Sequence, residues 1–387
     1  DGPVADPPGG DSVDGRAAAD RALDDPHGPP LADVVDPDDT VAVVVTDVTR
    51  ATPDGCLLDA LFARLPGPVG PDRVTVVLGL GLHRPMTDAE MREGLGDHAR
   101  LAENHDPDAA REVGAVDGVP VLLNEAVADA DAVLATGMVE PHQYAGFSGG
   151  AKTVVVGAGG EPVIRYTHGP DMLSRDGVRL GRVEGNPFRD AVDRAGDVAG
   201  PAFCINVTKG PSGMLGVAAG RPRGVVRDLA TTARDALSVG VEGTYDAVLA
   251  GVGSPKDANL YPTTRAFTYL VLGDHNPVRT GGRVVVPARL TEGAGEGRGE
   301  RRFHSRLRGA ESAAALYDEL RAGYEPGAQR AFVVARALRD HDLFVADSTH
   351  PAVVEECLMT AAGGVADAVE PGSDVLAVPD ALNTLVV

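Results

Sequence analysis

Two α/β domains with largely parallel sheets, and an active site in the cleft between them, are predicted from three features of the sequence. Short continuous runs of β-branched and apolar residues, the first at 41–45, have the character of strands buried on both faces of a parallel sheet. Helical patterns separate most of these runs, and alternation of strand and helix builds parallel sheets. Polar clusters follow directly on several runs, where α/β proteins carry their functional loops. At 387 residues the chain is long enough for two such domains of roughly 100–200 residues each.

In chain order, residues 1–40 are rich in Asp, Pro, Gly and Ala without apolar periodicity, and are expected to form an extended or disordered acidic arm. A strand at 41–45 begins the ordered chain, and a helix over 57–64 precedes a second strand at 74–78. Thr87 caps a helix running through Gly94, with Glu90 at the capping-box position. Further strands are expected at 120–123, 132–136, 202–207, 247–250, 283–286 and 343–346. A helix ending near Gly240 and a new strand at 245–250 put a domain boundary at about 240, giving domains 41–240 and 241–387. The Gly, Glu and Arg-rich stretch 292–302 reads as a mobile surface loop.

Fifty-seven acidic against 35 basic residues leave a net charge of −22. That charge repels phosphate backbones and anionic lipid, so neither nucleic acid nor membrane is an expected partner. Only three lysines, Lys152, Lys209 and Lys256, stand among thirty-two arginines. An acid excess with so little lysine points to a halophilic surface, on which concentrated salt screens self-repulsion. It also makes each surviving lysine informative, because a primary amine can do chemistry that a guanidinium cannot. Cys56, Cys204 and Cys357 are odd in number and lack a C-x-x-C spacing, which excludes a disulfide framework and a zinc ribbon. With no apolar run of membrane-spanning length and no visible signal peptide, the expected location is the reducing cytoplasm.

Four clusters carry candidate chemistry. Asp47, Thr49 and Arg50 follow the first strand in a turn that can fix a phosphate or carboxylate, or serve only as a polar turn. His83 and Arg84 follow the second strand, His83 as a candidate general base. The string from Glu140 to Thr153 contains His142, Gly146, Ser148, Gly149, Gly150 and Lys152, a glycine-rich turn whose amides suit an anion at a helix start. It stops short of a phosphate-binding P-loop, because Ala151 stands where glycine is required and no Walker-B strand accompanies it. A P-loop-like nucleotide hydrolase is the alternative reading. His168 lies sixteen residues beyond Lys152; no H-E-x-x-H accompanies it.

These segments in this order resemble the lactate racemase family, the nickel-pincer-nucleotide-dependent 2-hydroxy-acid racemases and epimerases. The matching text is D-x-T-R at 47–50, G-x-H-R-x-x-T at 81–87, E-P-H-x-x-A-G-F-S-G-G-x-K at 140–152, and His168. Asn104-His105-Asp106, Glu184-Gly185-Asn186-Pro187, Ser254 to Tyr261 and Thr349-His350-Pro351 extend it over about residues 41–358. The resemblance implies that Lys152 attaches the pincer nucleotide covalently and that His168 is the protein ligand to nickel. His83 and His142 would be the two acid–base groups while the Cα hydride moves to the cofactor and back. Asp47, Thr49, Arg50 and the 146–150 amides would hold phosphate or carboxylate. The first domain would bind cofactor and the second would close on substrate, and cofactor maturation enzymes are implied partners. A relative that has lost its cofactor and only binds a ligand is the further alternative. Members acting on lactate commonly read Y-Q-x-x-K near the substrate, whereas this chain has Tyr261-Pro262-Thr263-Thr264-Arg265. With Arg50, Tyr261, Arg265 and Lys256 as substrate contacts, the expected substrate is lactate or a related hydroxy acid, and the fork of Arg265 also suits a larger or dicarboxylic one.

Overall fold

A computed structural model describes all residues other than Asp1, Leu82 and Pro326, with their side chains except that of Arg298. The chain divides into two compact units. One is Gly9–Thr167 with Arg182–Ala236; the other is Asp1–Pro8, His168–Gly181 and Leu237–Val387. The two-part division expected at residue 240 is therefore corrected at residues 1–8 and 168–181, which join the unit containing the C-terminal segment.

The strands of the first unit are β1 (Val41–Thr46), β2 (Val74–Gly79), β3 (Ala102–Asn104), β4 (Arg111–Val116), β5 (Val119–Leu123), β6 (Ala132–Met138), β7 (Pro141–His142), β8 (Gly146–Phe147), β9 (Pro201–Gly210) and β10 (Gly213–Gly220). Six form one sheet in the order β10-β9-β6-β1-β2-β3, parallel except for β10. The five residues Val41 to Val45 of β1 are buried, as a central parallel strand covered on both faces requires. The expected strand at 120–123 belongs instead to the antiparallel hairpin β4–β5, outside this sheet. From β1 the chain winds outward through β2 and β3, then returns to β6 and winds through β9 and β10 on the other side. That reversal between β1 and β6 makes their carboxyl ends a topological switch point, where loops diverge and leave a crevice.

The arm expected over 1–40 is corrected. Gly15–Asp24 is a helix capped by the Asp14 carboxylate on the Ala17 amide, and its Ala19, Ala22 and Leu23 enter the same core as Leu31, Val35, Leu57 and Leu61. The alanine-rich stretch has high helix propensity, and its apolar stripe is too short to stand out from the surrounding Asp and Pro.

The second unit has β11 (Ser238–Val239), β12 (Tyr245–Ala250), β13 (Val278–Pro287), β14 (Asp342–Ala346), β15 (Thr360–Ala362), β16 (Val375–Val378) and β17 (Leu385–Val386). Its main sheet, ordered β15-β14-β13-β12-β16, is parallel throughout and has its own switch point between β12 and β16. The segment beginning at Ser254 follows β12. Asn259 caps the helix Leu260–Val271, and Pro262 sits in its first turn, where a missing amide costs nothing. The stretch 292–302 is not the loop expected: the helix Arg298–Arg308 begins within it, and Glu292 and Glu300 both accept from the Asn259 amide group. Glycines had masked the helix start.

Candidate active site

Loops leaving β1, β2 and β6 carry most of the candidate residues of the first unit. The loop after β1 is a single 3-10 turn, Val48–Arg50, capped by Asp47. Asp47 Oδ1 accepts from the Thr49 amide at 3.0 Å and from the Thr49 hydroxyl at 2.5 Å, while Oδ2 lies 2.5 Å from Nδ1 of His83. Burial by itself would raise this carboxyl. Hydrogen bonding and charge from His83, with help from Thr49 and Arg50, outweigh it and hold Asp47 below the usual carboxylate range. An ionised Asp47 assigns the proton of the neutral imidazole to Nδ1. Nε2 then presents its lone pair on a side chain that is 52% exposed. Arg50 forms an ion pair with Glu140 from the loop after β6.

Asp54 lies beneath this turn. Its two oxygens bond the hydroxyls of Thr46, at 2.8 Å, and of Thr136 on β6; Thr46 and Thr52, which flank the turn, are themselves bonded at 2.7 Å. Complete burial drives the Asp54 carboxyl up to about 7 although both threonine hydroxyls oppose it.

The loop after β6 folds back through the β7–β8 pair. Nδ1 of His142 accepts from the amides of Tyr144 at 3.3 Å and Ala145 at 3.1 Å, so the proton of its neutral ring resides on Nε2. The Ser148 amide donates to the Glu140 carbonyl at 2.9 Å and the Ser148 hydroxyl to the Met138 carbonyl at 2.6 Å. The Gly150 amide donates to Asn206 on β9 at 2.8 Å. Arg189, buried on the helix Pro187–Ala199, grips Asp193 and the carbonyls of Phe147 and Gly149. Gly146 has a φ of +75°, and a Cβ there would stand 1.8 Å from the Arg182 carbonyl oxygen. Glycine is therefore required by close packing. Lys152, 9% exposed, is the second residue of the helical turn that starts at Ala151 and continues as a π-helix, Thr153–Gly157.

Residues 9–181 match the lactate racemase N-terminal domain family. Lactate racemases from Thermoanaerobacterium thermosaccharolyticum and Lactiplantibacillus plantarum are 24% and 25% identical, over 95% and 96% of this chain and 89% and 91% of theirs. The chain carries the lactate racemase N-terminal domain. Its fold agrees: the lactate racemase apoprotein from T. thermosaccharolyticum superposes with a TM-score of 0.87 at 21% identity, over 100% of this chain and 94% of that one. A protein from Thermotoga maritima gives 0.72 at 16% identity, over 98% and 99%.

In this lactate racemase-like chain, Asp47, Thr49, Arg50, His83, His142, Gly146, Ser148, Gly149, Gly150 and Lys152 all lie in the first unit. Two expectations for them are corrected. Asp47 is an ionised carboxylate bonded to His83, and a carboxylate repels phosphate, so it orients the imidazole rather than holding an anion. The amides of Ser148 and Gly150 already donate within the chain, to the Glu140 carbonyl and to Asn206, so these two are not available to cradle a phosphate. With the Gly150 amide consumed and residues 144–152 buried, the P-loop reading loses its anion site. Leu82, within the His83 segment, lies outside the described residues.

His168, 7% exposed, ends the helix Glu161–His168 and belongs to the second unit with Lys256, Tyr261 and Arg265. There the Tyr261 ring meets Phe303 edge-on, with the guanidinium groups of Arg265 and Arg330 at 6.0 and 5.8 Å from its centroid. Of the remaining shared segments, His105 is buried and bonds the Gly159 carbonyl at 3.1 Å, and His350 bonds the Leu290 carbonyl at 2.7 Å. Sequence reasoning missed Asp54, Arg189, Asn206 and Arg330, which belong to no motif; only Arg189, two residues beyond the shared Asn186-Pro187, stood near one.

Proposed function

We propose that this chain is a racemase or epimerase of a 2-hydroxy acid that works with a nickel-pincer nucleotide attached at Lys152. The family match supports the reaction class. The observation that carries the reading is the Asp47–His83 pair beside the switch point, in the same unit as a lysine seated on a rigidly bonded buried loop. Family and site together favour a catalytic member over a relative that only binds a ligand.

The residues fit the implied cofactor in kind. Lys152 offers a buried primary amine, the group that acylation needs, and His168 a buried imidazole. Among the described residues no group of three or more His, Cys, Asp or Glu could hold a metal ion. One imidazole therefore suits a metal that arrives with its other ligands, as a soft pincer provides for nickel. When bound, the group would supply the hydride acceptor. His83 would take the hydroxyl proton at Nε2, and Asp47 would steady the imidazolium that forms. His142 would begin as an N–H donor at the substrate oxygen. To accept a proton at Nε2 it must change tautomer, which breaks its contacts with the Tyr144 and Ala145 amides.

In this reading the first unit binds cofactor and the second recognises substrate, with Tyr261, Arg265 and Lys256, joined by Arg50, as carboxylate and chain contacts. The substrate is lactate or a related hydroxy acid, larger or dicarboxylic. Maturation enzymes load the cofactor in a reducing cytoplasm, in keeping with the free thiols of Cys56, Cys204 and Cys357. No helix among the described residues is long and apolar enough to cross a membrane.

Intact-protein mass spectrometry with nickel analysis, after co-expression with maturation enzymes, tests the proposal. A nickel-bearing adduct mapping to Lys152, lost in Lys152→Ala together with stereochemical exchange, is the expected result. An unmodified Lys152 under conditions that load a known lactate racemase would overturn it.

A further inference from the structure

Lys209 is the one lysine without a motif, and it reaches the turn that carries Asp47. It stands near the end of β9, and its Nζ donates to the Ala51 carbonyl oxygen at 2.6 Å. Ala51 closes the turn with a φ of +50° and ψ of +31°, the left-handed region that an L-alanine enters only when its surroundings hold it there. The rest of the turn is fastened as well: Thr46 to Thr52 across its base, Arg50 to Glu140, and Asp47 to Thr49 and His83. The Lys209 bond is the tie at its carboxyl end. A lone carbonyl is a target for a compact ammonium on a flexible stem, whereas a guanidinium brings a rigid fork to a single acceptor. This gives a reason for lysine here in a chain that otherwise uses arginine.

We infer that Lys209 is a positioning residue, which holds Ala51 in its left-handed conformation and thereby keeps the Asp47 carboxylate on Nδ1 of His83. The inference rests on the reading of His83 as an acid–base group, but its first test does not. In the apo chain the His83 Nδ1 proton, donated to the Asp47 carboxylate, should give a low-field NMR signal. Lys209→Met preserves side-chain length without a donor and should abolish or shift that signal while the melting temperature and remaining histidine resonances stay near wild type. Adding Ala51→Gly, which accepts positive φ without strain, should restore it. In cofactor-loaded protein, Lys209→Met should lower kcat about tenfold or more with KM changed less than twofold, as displacement of a proton-transfer group predicts. An unchanged low-field signal in Lys209→Met, or an equal fall in every resonance and in melting temperature, overturns the inference. Absence of exchange in loaded wild type would overturn the proposed reaction instead, and leave the apo result to decide the role of Lys209.

Discussion

Asp47 and Asp54 stand seven positions apart, yet their surroundings push them in opposite directions. Asp47 meets an imidazole, a hydroxyl and an amide, and stays ionised. Asp54 meets threonine hydroxyls and the Thr46 backbone, and is pushed up to about 7 by burial, with the charge of Asp47 adding to it. The sign of its effect on stability follows. In the unfolded chain Asp54 ionises near its ordinary value of 3.8, whereas in the fold it keeps its proton until about pH 7. Its contribution is therefore full below pH 4 and is lost as pH rises toward 7, by up to a few kcal/mol. Asp47, lowered, acts in the opposite sense and only below its ordinary range. In urea unfolding, the stability of wild type relative to Asp54→Asn should accordingly decline between pH 4.5 and 7.5. A difference that stays constant with pH would mean that Asp54 is ionised throughout the range.

At the scale of elements, the loop from Glu140 to Lys152 shows how a string legible in sequence acquires its shape from chain far away. Its residue types announced a glycine-rich turn before a helix with a lysine just inside. Its hydrogen bonds run to Asn206 on β9 and to Arg189 on the helix Pro187–Ala199, neither marked by any local pattern. The Ser148 and Gly150 amides look available in sequence, because a backbone N–H has no visible partner until its acceptor is known. Arg189→Met keeps much of the volume but leaves Asp193 with only the longer ion pair to Arg223 at 3.7 Å and removes the donor to two carbonyls, and should destabilise the first unit by about 3 kcal/mol. A loss below about 1 kcal/mol in chemical denaturation would show that the loop holds itself.

For the whole molecule, the net charge of −22 is a property of the surface, independent of the site. Most arginines in the ion pairs are at least partly exposed, and such pairs contribute little each. Screening of acidic self-repulsion should thus dominate the response to salt, and the melting temperature should rise from low to molar KCl. A flat or falling curve would remove the halophilic reading. By itself the sequence determined the α/β class, the positions of most strands and the residues of the candidate segments, because buried parallel strands are continuous apolar runs and chemically demanding side chains recur in ordered strings. Tertiary structure decided which of those residues meet. The reversal of strand order between β1 and β6 brings the loop after β6 beside the turn after β1, and the loop after β2 delivers His83 to Asp47. Packing turned the supposed arm into a core helix and moved residues 168–181 into the second unit. Such pairings join residues tens of positions apart, and the hydrogen bonds and burial that select them exist only once the sheets have formed.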